Sequence, residues 1–192
     1  MTVLAIDTSA EQGSLALLTS DGRLTEAVLH APDGHSSRLF VEIQSLLQRA
    51  GMTLVEVDCF AAAAGPGSFT GVRVALSAAK GFALALGKPM AAVSNLQALA
   101  WFGSGPHRAV AMDARRGDFF TATYDDALET VEAETLVSAL APGVAYLTPQ
   151  PEHVLARAIA AITQKRGTLV DPALTDANYV RHSDAELKWT DR

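Results

Sequence analysis

Two short polar turns in this sequence combine residue types that could hold a phosphate. Asp7-Thr8-Ser9 follows the apolar run Val3-Leu4-Ala5-Ile6, so a carboxylate and two hydroxyls stand where a buried strand stops. Such a turn can face a bound ligand with these oxygens. It can equally close on itself, because Asp, Thr and Ser side chains bond nearby backbone amides. Gly65-Pro66-Gly67-Ser68 lies between an apolar run and a long alanine-rich stretch. There it could offer backbone N–H groups at a helix N-terminus, which suits an anion. It could also be a tight strand-to-helix turn whose glycines let the helix approach the sheet. Asp7, Thr8, Ser9, Gly65, Gly67 and Ser68 are the candidate cofactor-binding residues, as working or vestigial phosphate loops.

Other chemistry finds less material. Two histidines four residues apart on a helix share one face and can grip a metal. The five histidines are His30, His35, His107, His153 and His182, and no pair has that spacing; four residues after His35 stands Leu39. No metal site is expected. Ser9, Ser36 and Ser68 lack the G-x-S-x-G elbow of a hydrolase nucleophile, so no catalytic residue is assigned either. The single cysteine, Cys59, sits in an apolar run and reads as a small buried hydrophobe. It excludes a disulfide within one chain. Arg115-Arg116 reads as a solvated turn, with a contact to phosphate groups as the alternative.

Composition sets the limits on partners. The chain has 192 residues, of which 49% are hydrophobic and 19% charged, and its net charge is −6. A mean hydropathy of +0.18 fits a well-buried globular protein. An RNA-binding face needs clustered Lys and Arg, and no basic run here is longer than Arg115-Arg116. The chain is not expected to hold tRNA or DNA alone. Val3 to Ile6 is too short for a signal peptide, and Arg73 and Lys80 interrupt the apolar 70–87 stretch. A cytoplasmic protein is expected.

The elements that would position these turns follow from periodicity. Val3 to Ile6, Ser14 to Thr19 and Leu24 to Leu29 read as strands, the last two joined at Asp21-Gly22. From His35 the period becomes helical, with Leu39, Ile43, Leu46, Leu47 and Ala50 on one face and Gly51 as the stop. Phe40 and Val41 widen that face. Asp58 to Ala64 is a buried strand, and 70–87 a helix apolar on nearly all sides, with Ser68 or Thr70 as its cap. Ala91 to Val93 reads as a strand and Leu96 to Trp101 as a short helix, before a lobe boundary at Gly103 to Pro106. Lobes of 1–103 and 104–192 follow. In the second, Ala109 to Met112 and Asp118 to Tyr124 make a hairpin, Leu128 to Leu136 and Val144 to Leu147 add strands, and Glu152 to Lys165 forms a helix.

This order resembles the actin-like ATPase and sugar-kinase (ASKHA) superfamily, an α/β fold of two ribonuclease-H-like lobes, with the second reduced here. Asp7-Thr8-Ser9, His35-Ser36, the run GPGSFTGVRVALSAAKGFALALGKP (65–89) and Met112-Asp113-Ala114-Arg115-Arg116-Gly117-Asp118 together resemble the bacterial TsaB (YeaZ) family. The likeness covers roughly residues 1 to 125, with an echo at Asn178-Tyr179-Val180-Arg181. It implies a role in threonylcarbamoyl modification of the adenosine beside the anticodon in ANN-decoding tRNAs. In that pathway TsaB is a non-catalytic paralogue that binds and activates TsaD, while TsaE, an ATPase, acts on the pair. The resemblance also implies self-association when TsaD is absent, contact with tRNA only through the complex, and ATP use by the complex rather than by this chain.

Two features of the residues agree with a silent site: no adjacent glycines occur for an adenosine loop, and Asp113 to Gly117 reads as well as a hairpin turn. The apolar helices supply the alternative to catalysis. Leu39, Ile43, Leu46, Val72, Ala75, Leu76 and Ala79 are the expected partner interface, as part of a four-helix contact with a paralogue, the alternative being that both helices are fully covered by their own chain. A stand-alone ATP-dependent kinase or transferase of the same superfamily is the competing reading, carried by Asp7-Thr8-Ser9 and the glycine turn. A homodimeric scaffold unrelated to tRNA is the third.

Overall fold

The structure is a computed structural model that describes residues 1–30, 38–167, 169–178 and 180. Five strands form the first sheet: β1 (Val3–Asp7), β2 (Gln12–Leu18), β3 (Leu24–His30), β4 (Cys59–Ala63) and β5 (Met90–Val93). Their order is β3-β2-β1-β4-β5. β1, β2 and β3 are antiparallel neighbours, whereas β1, β4 and β5 run parallel. The parallel strands need crossovers, and two helices supply them: α1 (Leu39–Ala50), which leads into β4, and α2 (Phe69–Leu86), which leads into β5. A short helix, α3 (Asn95–Ala100), follows β5. The expected start of the first helix at His35 falls outside the described residues.

β1 and β4 are buried along their whole length because both faces of the sheet are covered. The two faces differ in volume. Leu4, Ile6, Leu15, Leu17 and Phe60 point toward α1 and α2. Val3, Ala5, Ala16, Ala61 and Ala63 point the other way. That small-residue face takes α4 (Leu155–Arg166), which comes from the second half of the chain and packs on β1, β2, β4 and β5. Polar bonds fix its register. The Ala156 N–H donates to the Ser14 hydroxyl at 3.1 Å, Gln164 donates to the Met1 and Thr19 carbonyls, and Arg157 pairs with Glu26 on β3.

The second sheet is β6 (Arg108–Asp113), β7 (Phe119–Tyr124) and β8 (Thr130–Val137), antiparallel in that order. Its buried residues Val110, Met112, Phe120 and Tyr124 share one core with Leu96, Leu99, Ile159 and Val3. The division at 103/104 therefore does not separate two packing units, since α4 closes the first sheet. The strand expected over Val144 to Leu147 reduces to Leu147, which exchanges bonds with Ala109 and Ala111. Pro149 and Pro151 follow at once and have no N–H to extend a ladder. By composition α2 could cross a membrane, but Val72, Ala75, Leu76, Ala79 and Ala83 are buried against the sheet.

The approach of α2 to β1 is set by missing side chains. A Cβ on Gly71 would lie 1.9 Å from the Thr8 carbonyl oxygen, and one on Gly67 would lie 2.8 Å from that of Ser9. Cys59 is fully buried, and desolvation, with the Asp58 charge behind it, pushes its thiol up to about 11.

Two outcomes are expected. Gly71→Ala should destabilise the fold by at least about 2 kcal/mol in chemical denaturation, because backbone must move to admit the methyl. Cys59 should resist thiol reagents at pH 8 in the native protein and react once denatured. Its folded pKa lies above the ordinary value of 9.0. Between those two values the unfolded chain ionises and the folded one does not, so this thiol's contribution to stability falls as pH rises through that window.

Candidate functional site

Asp7, Thr8 and Ser9 leave the C-terminal end of β1, and 65–68 leaves that of β4 beside it. Ligands of parallel α/β sheets bind at this edge. The structure brings the two expected turns together there and closes them on each other. Asp7 Oδ1 accepts the Ser9 N–H at 2.9 Å and the Ser9 hydroxyl at 2.6 Å, which is an Asx turn. The Ser14 hydroxyl donates to Asp7 Oδ2 at 3.5 Å. The Ser68 N–H donates to the Ser9 carbonyl at 2.7 Å, and the Thr8 hydroxyl to the Gly71 carbonyl at 2.6 Å. Ser68 is also the cap of α2, accepting the Gly71 N–H at 3.3 Å. Asp7, Thr8 and Ser9 are all buried. In this geometry the Asp7–Ser9 turn bonds to itself and α2 approaches it closely. The N–H groups of Ser9 and Ser68, which a phosphate loop would offer, are bonded within the pair of turns.

A residue that sequence reasoning missed holds this arrangement. Asn95, at the start of α3, is fully buried. Its Nδ2 donates to the Ser9 hydroxyl oxygen at 2.7 Å and to the Pro66 carbonyl at 2.9 Å, while Oδ1 accepts the Gly65 N–H at 3.3 Å. The available signal was Ser94-Asn95, two cap-forming residues before an apolar run. Ser94 does cap α3, through the amides of Leu96 and Gln97.

A second missed residue is Glu134 on β8. Its carboxylate accepts from the Ser94 hydroxyl, from the Tyr124 hydroxyl at 2.6 Å and from Asn178 Nδ2 at 2.6 Å. Burial, and then the adjacent Glu134 charge, push the Tyr124 phenol far up, so it stays a donor. Nothing in the alternation of β8 distinguishes Glu134 from its exposed neighbour Glu132.

The remaining candidates lie elsewhere. Arg115 and Arg116 form the exposed tip of the β6–β7 hairpin, both in left-handed backbone with φ of 64° and 59°. His153 Nδ1 accepts the Gln150 N–H at 3.1 Å, and its ring stacks on Phe102. His35 and His182 lie outside the described residues. Among the described residues, no three His, Cys, Asp or Glu side chains gather as a metal set.

The expected interface residues need correction. Leu39, Ile43, Leu46, Val72, Ala75, Leu76 and Ala79 are all buried, packed with Leu4, Ile6 and Phe60. The regular apolar stripe of each helix is the stripe that meets its own sheet, and small size at 75 and 79 serves that contact. What faces outward is different: Phe40 (58% exposed) and Val41 (62%) on α1, Phe69 (50%) and Leu84 (61%) on α2. Phe40 packs edge-on against Phe82, and the Arg73 guanidinium lies 3.7 Å over the Phe69 ring. Between the two helices runs a groove of about 470 Å³ lined by Phe40, Phe69, Arg73 and Ser77 among others.

Comparison with known proteins agrees with this architecture. Residues 29–179 match the family model for TsaD, tRNA N6-adenosine threonylcarbamoyltransferase. The tRNA threonylcarbamoyladenosine biosynthesis protein TsaB of Escherichia coli (strain K12) is 38% identical over 128 residues, 65% of this chain and 55% of its own length. The chain thus spans about half the length of that curated relative. An uncharacterized protein of Mycobacterium bovis is 31% identical over 169 residues, 86% of this chain and 80% of its own. The solved structure of YeaZ from Pseudomonas aeruginosa superposes with a TM-score of 0.77 at 30% identity, covering 93% of this chain and 99% of that one. Sheet order, turn sequence and these likenesses converge: the chain belongs to the TsaB/YeaZ family and has its actin-like, ribonuclease-H-like α/β fold.

Proposed function

We propose that this chain is a non-catalytic subunit of the machinery that adds threonylcarbamoyl to the adenosine beside the anticodon of ANN-decoding tRNAs. It acts by binding and activating a TsaD-type transferase. The observation that carries this reading is the outward apolar face of α1 and α2. Phe40, Val41, Phe69 and Leu84 are large, solvent-facing and set on two adjacent helices, and such clusters mark binding surfaces. The family relationship supplies the partner class, because TsaD-type chains share this fold and would present matching helices. The Ser9, Gly65 and Ser68 N–H groups and the Thr8 and Ser9 hydroxyls are bonded to oxygens of their own chain, which supports a structural rather than a catalytic use.

The wider assembly follows the same reading. A TsaE-type ATPase acts on the pair and consumes the ATP, tRNA is met only through the complex, and a second copy of this chain covers the helices when the transferase is absent. The setting is the cytoplasm. An overall charge of −6 suits a subunit that leaves phosphate contacts to its partner.

The test is a pair of variants of opposite kind. Val41→Glu and Leu84→Glu change side chains that are 62% and 61% exposed, so each should fold with nearly unchanged Tm yet fail to co-purify with the transferase, and tRNA modification in cells should fall at least tenfold. Retention of complex and modification in both would sink the docking surface. Ala75→Glu, by contrast, places a charge in the core and should be lost to unfolding before binding can be measured. Calorimetry of the isolated chain with ATP and magnesium should show neither tight binding nor turnover; either result would favour the stand-alone kinase or transferase.

A further inference from the structure

The segment after α4 crosses the edge where the two turns meet. The Val170 N–H donates to the Met90 carbonyl at 2.8 Å, which ties the segment to the free side of β5. Thr175 is buried, and its hydroxyl donates to the Asp171 carbonyl at 2.7 Å. Ala177 packs on the α1–α2 core, whereas Val180 packs on the α3–α4 core, so the chain passes from one face of the sheet to the other at this point. Between them, the Asn178 N–H donates to the Ala64 carbonyl at 2.7 Å. The Asn178 carbonyl oxygen lies 3.0 Å from where a Cβ on Gly65 would be. Its side chain reaches Glu134, which also holds Ser94 and Tyr124.

We propose that residues 169–178 are a strap, latched by the Asn178–Glu134 bond, that locks the N-terminal end of α2. Ala64 and Gly65 lead directly into the turn that caps α2, and the strap is bonded to Ala64 and seated on Gly65. With the latch closed, the turn is held between Ser9, Asn95 and Asn178. With it open, the turn loses its outer wall and the first turn of α2, which carries Phe69, loosens. The strap is thus a conformational device for the α1–α2 face. Its consequence for partner binding rests on the proposed docking role, but the lock itself is a property of the isolated chain.

Amide hydrogen exchange on the isolated chain tests it. Asn178→Ala removes one hydrogen bond to a carboxylate, and Asn178→Asp sets a second carboxylate against Glu134. In Asn178→Asp, exchange across Ala64 to Val72 should quicken roughly tenfold or more, because the hydrogen bond to a carboxylate is lost and a like charge repels Glu134 in its place. Asn178→Ala should show the same region quickened by less, and Leu174→Ala, at an 82% exposed site on the same segment, should show no change. Amides of α4 should keep their protection in all three. Unchanged exchange across Ala64 to Val72 in both Asn178 variants overturns the strap. So does acceleration that extends equally into α4, since that reports general loss of structure. These readouts involve no partner, so failure of the docking surface would leave them intact.

Discussion

One buried amide decides how the rest of this molecule fits together. Asn95 belongs to α3, yet its side chain joins the end of β1 at Ser9 to the end of β4 at Gly65 and Pro66. The Gly65 N–H and the Pro66 carbonyl, both buried, find their partner in this side chain, and the Ser9 hydroxyl, already a donor to Asp7, accepts from it. Leaving either backbone group unpaired costs about 1–3 kcal/mol. The amide also fixes distance, because Ser9 can meet Ser68 only while both turns are drawn in. That closeness forces glycine at 67 and 71 and delivers α2 onto the sheet. The turns that look most chemical in the sequence also act as joints, because their hydroxyls and carboxylate bond groups of their own chain.

Volume asymmetry across the first sheet then determines what is left for other molecules. Large side chains fill the space under α1 and α2, whereas alanines face α4. Every regularly spaced apolar position of α1 and α2 is consumed by that packing. The apolar residues that break the spacing are the ones left outside. Phe40 and Val41 on α1, with Phe69 and Leu84 on α2, keep half or more of their surface in solvent.

Much of the fold was legible because it rests on local signals. The hairpin at Asp21-Gly22, the stop at Gly51, the cap at Ser68 and the buried strand around Ala61 each follow from residues within a few positions of one another. The failures share a cause as well. Asn95 and Ser9 are 86 residues apart, and Gln12 and the Ser14 hydroxyl meet partners beyond residue 150, so no local window contains both halves of the contact. Periodicity also cannot say which covering an apolar stripe will receive. The spacing of Leu39, Ile43 and Leu46 fits a core and a docking face equally, and only the position of the sheet distinguishes them. Val144 to Leu147 had the composition of a strand, but the prolines after it withhold the donors a ladder needs.

The placement of α4 carries a consequence for the order in which the molecule can be built. The helix that covers the alanine face of the first sheet lies more than a hundred residues downstream of that sheet's first strands. As the chain emerges from the ribosome, β1 to β5 can pair and receive α1 and α2 while their other face is still open to water. Docking of α4 then closes a very long loop, which places a slow, non-local step late in folding. Until that step, the alanine face is the surface on which a nascent chain could go astray. Alanine is a mild choice for such a surface, because it exposes little apolar area while it waits.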